Sequence, residues 1–218
     1  ELGVPASAIQ EKNLLKENDY FYYGQKAERV NIGKAWKAAF REFKISQKQK
    51  EIDAFNRKNR FVKKGLALMP VTFGISFTNT MLNQARALVH VYTDGSVGVS
   101  TGAIEMGQGV NTKMVQVAAQ AFGIAPERIK MESTNTTRVA NTSPTAASTG
   151  ADINGQAVLV ACKAIVQRLK KIAADINGVK PGKIELRNEQ VFAGGKEIKI
   201  RWEQLVTEAY SRRIKLSE

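Results

Sequence analysis

Apolar side chains recur at helical spacing in several parts of the chain. In residues 31–43, Trp36, Phe40 and Phe43 lie on one helical face, which predicts an amphipathic helix that turns these rings toward the core. The polar segment 46–60 either prolongs this helix or follows it as a second one. Three further stretches share the helical period and are also predicted as helices: residues 112–122, 152–177 and 202–210.

Shorter stretches alternate between apolar and polar residues or are continuously apolar, as strands are. Seven segments are predicted as strands: residues 64–70, 86–92, 97–101, 129–133, 184–187, 190–192 and 196–200. The Asp94-Gly95 turn joins the second and third of them as a hairpin. The pattern therefore predicts an α+β fold of sheet hairpins with packed helices.

The order of these elements suggests three parts. Residues 1–60 form a helical N-terminal part, which begins irregularly with a short helix before a turn at Gly24. Residues 61–177 form a compact α/β core, and residues 178–218 begin a following subdomain with short strands and a helix. A chain of 218 residues is long enough to bury a core of this size.

Composition narrows the class of protein. With 43% hydrophobic and 24% charged residues, the chain has the composition of a soluble globular protein, and it contains no apolar run of membrane-spanning length. Its single cysteine, Cys162, lies on the predicted buried face of a helix and is interpreted as a small hydrophobe in a reducing, cytoplasmic compartment. The only histidine, His90, has no second metal ligand at a useful spacing.

The net charge of +13 is the one unusual compositional value. Basic chains often bind polyanions, which makes nucleic acid a partner to consider. However, the basic residues are spread along the chain without interleaved aromatic residues or a nucleic-acid motif, so nucleic acid binding is not expected. We interpret most of these charges as solvated helix faces or as a surface that meets an acidic partner.

Two loops rich in small residues offer the strongest candidate chemistry. The first spans residues 102–109, with glycines at 102, 107 and 109, and precedes a predicted helix. Unpaired amides and the positive end of the helix dipole are expected there, which suits an anion or a polar ring. The second spans residues 141–150, where small side chains leave room for a bulky ligand and a helix again follows. A simple structural interpretation of each loop is a tight connection with good caps.

Longer motifs make the loops more specific. Four of them are Glu105-Met-Gly-Gln-Gly109, Thr112-Lys-Met-Val-Gln-Val117, Asn141-Thr-Ser-Pro-Thr-Ala-Ala-Ser148 and Asp152-Ile-Asn-Gly-Gln-Ala157. Together they resemble the molybdenum-cofactor-binding region of the large subunit in the xanthine dehydrogenase and aldehyde oxidase family. Three upstream motifs are more similar to the xanthine dehydrogenase branch: Gly65-Leu-Ala-Leu-Met-Pro70, Phe73-Gly-Ile-Ser-Phe-Thr78 and Leu82-Asn-Gln84.

The resemblance implies roles for particular residues. Those expected to bind the molybdopterin cofactor are Gly107, Gln108, Gly109, Thr145, Ala146, Ala147 and Ser148. Those expected to line a purine site are Phe77, Thr78, Ala146 and Ala147, with the Phe77 ring available for stacking and the Thr78 hydroxyl for a hydrogen bond. Without the resemblance, Phe77 would be interpreted as a core residue and Thr78 as a turn residue.

The resemblance also implies an oxidoreductase that hydroxylates a heterocycle with oxygen from water, and a chain that is only part of it. The pterin dithiolene holds the molybdenum, so no protein metal ligand is expected. The family's catalytic glutamate belongs to a Gly-Glu-Pro-Pro type motif that is absent here, so no catalytic residue is assigned and Glu105 is given no catalytic role. The family's arginine loop is absent too, and iron-sulfur clusters and FAD are expected on other domains or subunits. The fragment alone is expected to be inactive.

Two alternatives remain open at this stage. One is a basic module that binds polyanions or assists assembly and keeps the fold without catalysis. The other is a dinucleotide-binding domain, which is weaker because the Gly107-Gln108-Gly109 turn lacks the third glycine and the later acidic residue of that motif.

Overall fold

The computed structural model describes residues 3–218, which form two compact units, one up to Phe73 and the other at Gly74–Glu218. The first unit is helical. Its elements are α1 (Ala6–Lys12), α2 (Ile32–Glu42) and α3 (Ile45–Lys58). The domain boundaries predicted at residues 60 and 177 stay a prediction.

Helices α2 and α3 are separate because Lys44 adopts the left-handed backbone conformation, with φ of 49°. The predicted apolar stripe of α2 is confirmed at Trp36, which is buried and packs on Phe40 with ring centroids 5.0 Å apart. It is wrong at Phe43, which is 59% exposed because the helix ends at Glu42 and the ring leaves the buried face.

The strand predicted at residues 64–70 is not formed. Residues 64–73 of the first unit run without regular secondary structure, and Met69 and Phe73 are exposed. The segment is apolar, as a strand would be, but a strand also requires a neighbouring strand. Neither sheet of the described residues includes one that pairs with this segment.

The second unit begins with a sheet of order β1-β2-β3. Its strands are β1 (Ala87–Val91), β2 (Val97–Thr101) and β3 (Ile129–Met131). Strands β1 and β2 are antiparallel, whereas β2 and β3 are parallel and connected through helix α4 (Val110–Phe122). Residues of the C-terminal segment extend the sheet, because the amide of Glu218 donates to the carbonyl of Val89 at 2.9 Å.

Helix α5 (Gly150–Asn177) is the long element of this unit and packs against α4 and the sheet. Its buried face includes Cys162, which is fully buried as predicted. Burial raises the pKa of the Cys162 thiol to about 12. His90 is exposed on β1, which agrees with a surface role.

A second small sheet is formed by β4 (Ile184–Arg187), β5 (Gln190–Ala193) and β6 (Lys196–Arg201), and is followed by α6 (Trp202–Ser211). Trp202 joins this part to the core: it is buried, packs on Phe122 and donates from Nε1 to the carbonyl of Gly95 at 2.7 Å. Among the helices of residues 3–218, none is long and apolar enough to cross a membrane. The α+β prediction is confirmed.

Candidate functional site

The two small-residue loops lie side by side at the ends of secondary-structure elements. The first loop leaves β2 at Gly102 and ends where α4 begins, and the second ends where α5 begins. A side chain at Gly102 would collide with Thr142 of the second loop, so glycine is required for this close approach. A direct hydrogen bond also joins the loops, because the amide of Ile104 donates to Thr145 Oγ1 at 2.9 Å.

Glu105 organises the first loop. Its carboxylate accepts hydrogen bonds from the amides of Gly107 and Gly109, both at 2.9 Å, and of Asn111 at 3.0 Å. These bonds hold the pKa of Glu105 below its usual range, with the Asn111 amide as the largest cause. The expectation that these amides are unpaired is therefore wrong: an internal anion already neutralises the N-terminus of α4.

Gln108 is also held within the first loop. Its Nε2 donates to the carbonyl of Ile104 at 2.8 Å, and its Oε1 accepts from the amide of Met106 at 2.6 Å. An amide group has a second N–H and a second lone pair, so Gln108 keeps one donor and one acceptor position for a ligand. Gly107 and Gly109 have open space where a Cβ would be, and their φ values of 94° and 74° are left-handed.

The second loop contains backbone strain and an uncapped helix end. Ala147 and Ser148 have φ values of 50° and 55°, which residues with a Cβ rarely adopt. No side chain of residues 3–218 caps α5, because the Thr149 hydroxyl donates to the carbonyl of Ala146 at 3.0 Å instead of accepting from the helix. The first amides of α5 therefore remain available to a ligand, in contrast to those of α4.

A cleft of about 280 Å³ lies between the two loops. Its lining residues come from both loops and both helix ends: Met106, Gln108, Val110, Lys113, Thr145, Ala146, Ser148, Gly150 and Ala151. The structure thus brings together Gln108, Thr145, Ala146 and Ser148 of the predicted cofactor set in one cleft. Gly107, Gly109 and Ala147 belong to the same loops without lining it. Lys113, which the sequence did not single out, is exposed and makes no ion pair within residues 3–218.

Of the predicted substrate residues, Ala146 and Ala147 belong to the second loop, and the segment that contains Phe77 and Thr78 is joined to this loop by a hydrogen bond. The amide of Ser76 donates to the carbonyl of Ala147 at 3.0 Å. The next residue, Phe77, is half-buried and held by Asn83, whose side chain accepts from the Phe77 amide at 2.9 Å and donates to its carbonyl at 3.0 Å. Thr78 is exposed.

No group of three or more His, Cys, Asp or Glu residues in the described part of the chain is arranged to hold a metal ion. The one acidic side chain of the first loop, Glu105, has its carboxylate engaged with backbone amides and caps a helix. What the cleft offers is hydrogen-bonding groups, small side chains and one lysine.

Comparison with known proteins decides the family. Residues 38–218 match the family described as "Molybdopterin cofactor-binding domain". The chain belongs to this molybdopterin cofactor-binding domain family. It is 48% identical over 168 residues to the xanthine dehydrogenase/oxidase of Felis catus and 45% identical over 178 residues to the xanthine dehydrogenase of Calliphora vicina. These alignments cover 77% and 81% of this chain and 13% of each relative.

Solved structures of other proteins contain the same fold. The quinoline 2-oxidoreductase of Pseudomonas putida 86 superposes with a TM-score of 0.73 at 17% identity, covering 97% of this chain and 28% of that one. The CO dehydrogenase of Oligotropha carboxidovorans gives a TM-score of 0.69 at 21% identity, covering 95% of this chain and 28% of that one. At these identities the similarity shows the fold alone.

Proposed function

We propose that the chain is the cofactor-binding part of a xanthine dehydrogenase-like molybdenum hydroxylase, and that the cleft between its two loops holds the pterin end of the cofactor. The observation that carries this proposal is the Ile104–Thr145 hydrogen bond, which joins two loops separated by about 40 residues into one cleft. At about 280 Å³ the cleft is near the lower limit of small-molecule sites, as expected for one wall of a larger site.

The residues of the cleft fit a polar, partly anionic ring system. Gln108 and the Thr145 hydroxyl offer donors and acceptors, and Ala146 and Ser148 leave room for a flat group. The uncapped N-terminus of α5 and the ammonium group of Lys113 favour the anionic end of such a ligand. Glu105 does not compete with the ligand for these groups, because its carboxylate accepts hydrogen bonds from the amides of Gly107, Gly109 and Asn111.

The proposal divides the chemistry between this chain and the rest of the enzyme. The cofactor, when bound, supplies the two-electron oxidation of the substrate with water as the oxygen source. This chain binds and orients the cofactor, while the general base, the iron-sulfur clusters and the FAD belong to other parts of the parent protein. The chain covers 13% of the relatives' length, which leaves room for these parts.

We further propose that the substrate is a purine or a related heterocycle and that Phe77, Thr78, Ala146 and Ala147 face it. The Ser76–Ala147 hydrogen bond supports this assignment, because it holds the Phe77 segment beside the second loop. Phe77 would stack on the ring, and Thr78 would donate or accept a hydrogen bond at its edge.

Steady-state kinetics of the full-length parent with xanthine test the purine assignment. Phe77→Ala is expected to raise the KM about tenfold, and Thr78→Val to lower kcat/KM about three- to tenfold, from the loss of one stacked ring and one hydrogen bond. Tyr210→Ala, an exposed aromatic residue on α6, is the matched control and should change neither. A parent that contains its full complement of molybdenum but turns over no purine would contradict the substrate assignment alone.

A further inference from the structure

The two carboxylate oxygens of Glu105 bind different parts of the first loop. Oε2 accepts from the amide of Asn111, the second residue of α4, and so caps the helix. Oε1 accepts from the amides of Gly107 and Gly109, which precede the helix. The Oε1 bonds therefore hold the loop rather than the helix.

The residue between these two glycines is Gln108, which lines the cleft. Both ends of its side-chain amide are bonded: Nε2 donates to the carbonyl of Ile104 at 2.8 Å, and Oε1 accepts from the amide of Met106 at 2.6 Å. Both partners come earlier in the same loop. The orientation of Gln108 therefore depends on the loop being folded back on itself.

The folded-back loop has little else to hold it. Gly107 and Gly109 have φ values of 94° and 74°, and neither would meet a neighbouring atom at a Cβ position. Glycine has the greatest backbone freedom of all residues, and packing does not restrict these two. Within residues 3–218, Glu105 Oε1 is the one hydrogen-bond acceptor of both glycine amides. One oxygen atom thus fixes the backbone on both sides of Gln108.

We propose that Glu105 is a positioning residue, whose Oε1 orients Gln108 so that the free N–H and lone pair of its amide group face the cofactor. This inference rests on the proposed function, in which the cleft binds the molybdenum cofactor. A ligand that binds an already ordered loop does not bear the entropic cost of ordering it, so the fixed loop binds more tightly than a mobile one. Glu105 does not line the cleft, and it acts through Gln108.

Molybdenum and pterin per polypeptide in the full-length parent test this role. Glu105→Gln and Gln108→Ala are each expected to lower the molybdenum content about tenfold, the scale usual for a residue that orients a ligand-binding group. Because Glu105 acts through Gln108, the double variant should contain as much molybdenum as Gln108→Ala, within about twofold. Unchanged content in Glu105→Gln would overturn the proposal. So would losses that multiply in the double variant, because Glu105 would then act independently of Gln108.

A stability control separates positioning from helix capping. Gly178→Ala strains the far end of α5, about 40 Å from Gly150 along the helix. Both Gly178→Ala and Glu105→Gln should lower the urea midpoint of the 218-residue chain. In the parent, however, Gly178→Ala should retain its molybdenum within about twofold, since the cleft is unchanged. Equal molybdenum losses in the two variants would show that cofactor content follows stability alone, which contradicts a positioning role.

Nuclear magnetic resonance of the 218-residue chain provides a measurement that needs no cofactor. The heteronuclear NOE of a side-chain amide nitrogen reports its mobility on the picosecond to nanosecond timescale. For Gln108 it should match the backbone of α4 in the wild type and fall in Glu105→Gln to the value of Gln120, an exposed glutamine of α4. A Gln108 side chain that stays ordered in Glu105→Gln would overturn the proposal.

The single variants distinguish this inference from the proposed function. Loss of cofactor in Gln108→Ala with full content in Glu105→Gln leaves the proposed function intact and overturns the positioning role. Full content in Gln108→Ala contradicts the proposed function, and the cofactor role of Glu105 with it, whatever the mobility of Gln108.

Discussion

The backbone amide of Ile104 donates a 2.9 Å hydrogen bond to the hydroxyl oxygen of Thr145, and this bond connects the glycine-rich loop before α4 with the small-residue loop before α5. Thr145 also touches the start of α5, because a Cβ on Gly150 would lie 3.3 Å from its Cγ2 methyl group. The Thr145 side chain therefore contacts both the first loop and the start of α5. Two loops that are distant in sequence are thereby joined along one cleft.

Removing the Thr145 hydroxyl should loosen this connection. Thr145→Val is expected to lower the free energy of unfolding by about 0.5–1.5 kcal/mol, the usual net value of one hydrogen bond, whereas Thr145→Ser keeps the acceptor and much of the stability. Urea unfolding of the isolated chain measures the difference. Thr112→Val, the same change at an exposed position of α4, serves as control. Equal effects at both positions would mean that the bond does not stabilise the loops.

Glu105 should make stability depend on acidity. The amides of Asn111, Gly109 and Gly107 lower its pKa below the ordinary value of 4.5. Its carboxylate therefore stabilises the folded chain above pH 4.5, and the contribution disappears as the pH falls through the lower folded-state pKa. The stability difference between wild type and Glu105→Gln should accordingly be largest near neutral pH and shrink in acid.

Urea midpoints between pH 3 and pH 7 measure this difference, at roughly one-unit intervals across the titration range of a carboxyl group. Glu127→Gln removes the same charge from an exposed glutamate and corrects for the general effect of charge. A Glu105→Gln effect that stays constant over this range would show that the carboxylate does not cap α4.

Gly123 should tolerate alanine less well than another helix-ending glycine. Gly123 and Gly178 end α4 and α5 with φ values of 70° and 61°. A Cβ at Gly123 would collide with the carbonyl of Leu186, whereas a Cβ at Gly178 meets open space. Gly178→Ala should cost about 1–2 kcal/mol of unfolding free energy for the left-handed backbone alone, and Gly123→Ala several kcal/mol.

Thermal unfolding of both alanine variants provides the comparison. The larger loss at Gly123 would confirm that α4 ends against the β4–β5 hairpin, whose main chain also bonds there through the amide of Glu189 and the carbonyl of Gly123 at 2.8 Å. Similar losses at the two glycines would contradict this packing.

Cys162 should be chemically inert in the folded chain. It is fully buried, and burial raises its thiol pKa to about 12. Because the thiolate is the reactive species, iodoacetamide at pH 8 should leave the native chain unmodified over a time in which the urea-unfolded chain reacts completely. Mass spectrometry of the two samples measures this, and rapid modification of the native chain would show that the α5 face is open.

The sequence predicted those parts of the fold that depend on local pattern. The helical periods of α2, α4, α5 and α6 and the hairpin around Asp94-Gly95 are all present, because each is specified by residues close together in the chain. The strand predicted at residues 64–70 is wrong, because strand formation depends on a neighbouring strand, which the local sequence pattern does not reveal. The predicted burial of Phe43 is wrong, because α2 ends at Glu42 and the left-handed Lys44 redirects the chain, which leaves the Phe43 ring exposed.

The site was only partly predictable. The two loops were predicted from their glycines and small residues, and the structure brings them together in one cleft. That this cleft binds the cofactor stays a prediction. The role of Glu105 was missed, although an acidic residue shortly before a helix is a signal for capping of its amides. Lys113 was missed because one lysine among many is not distinctive until the fold places it beside the cleft.

The most direct test of the central claim is the molybdenum and pterin content of the full-length parent after the cleft is filled. Ala146→Leu adds bulk to an exposed residue that lines the cleft, and Gln120→Leu adds the same side chain at an exposed position of α4 outside it. The account predicts that Ala146→Leu lowers molybdenum per polypeptide at least about tenfold, which corresponds to 1.4 kcal/mol of binding, while Gln120→Leu retains it. Full molybdenum and pterin content in Ala146→Leu would show that the cofactor binds elsewhere.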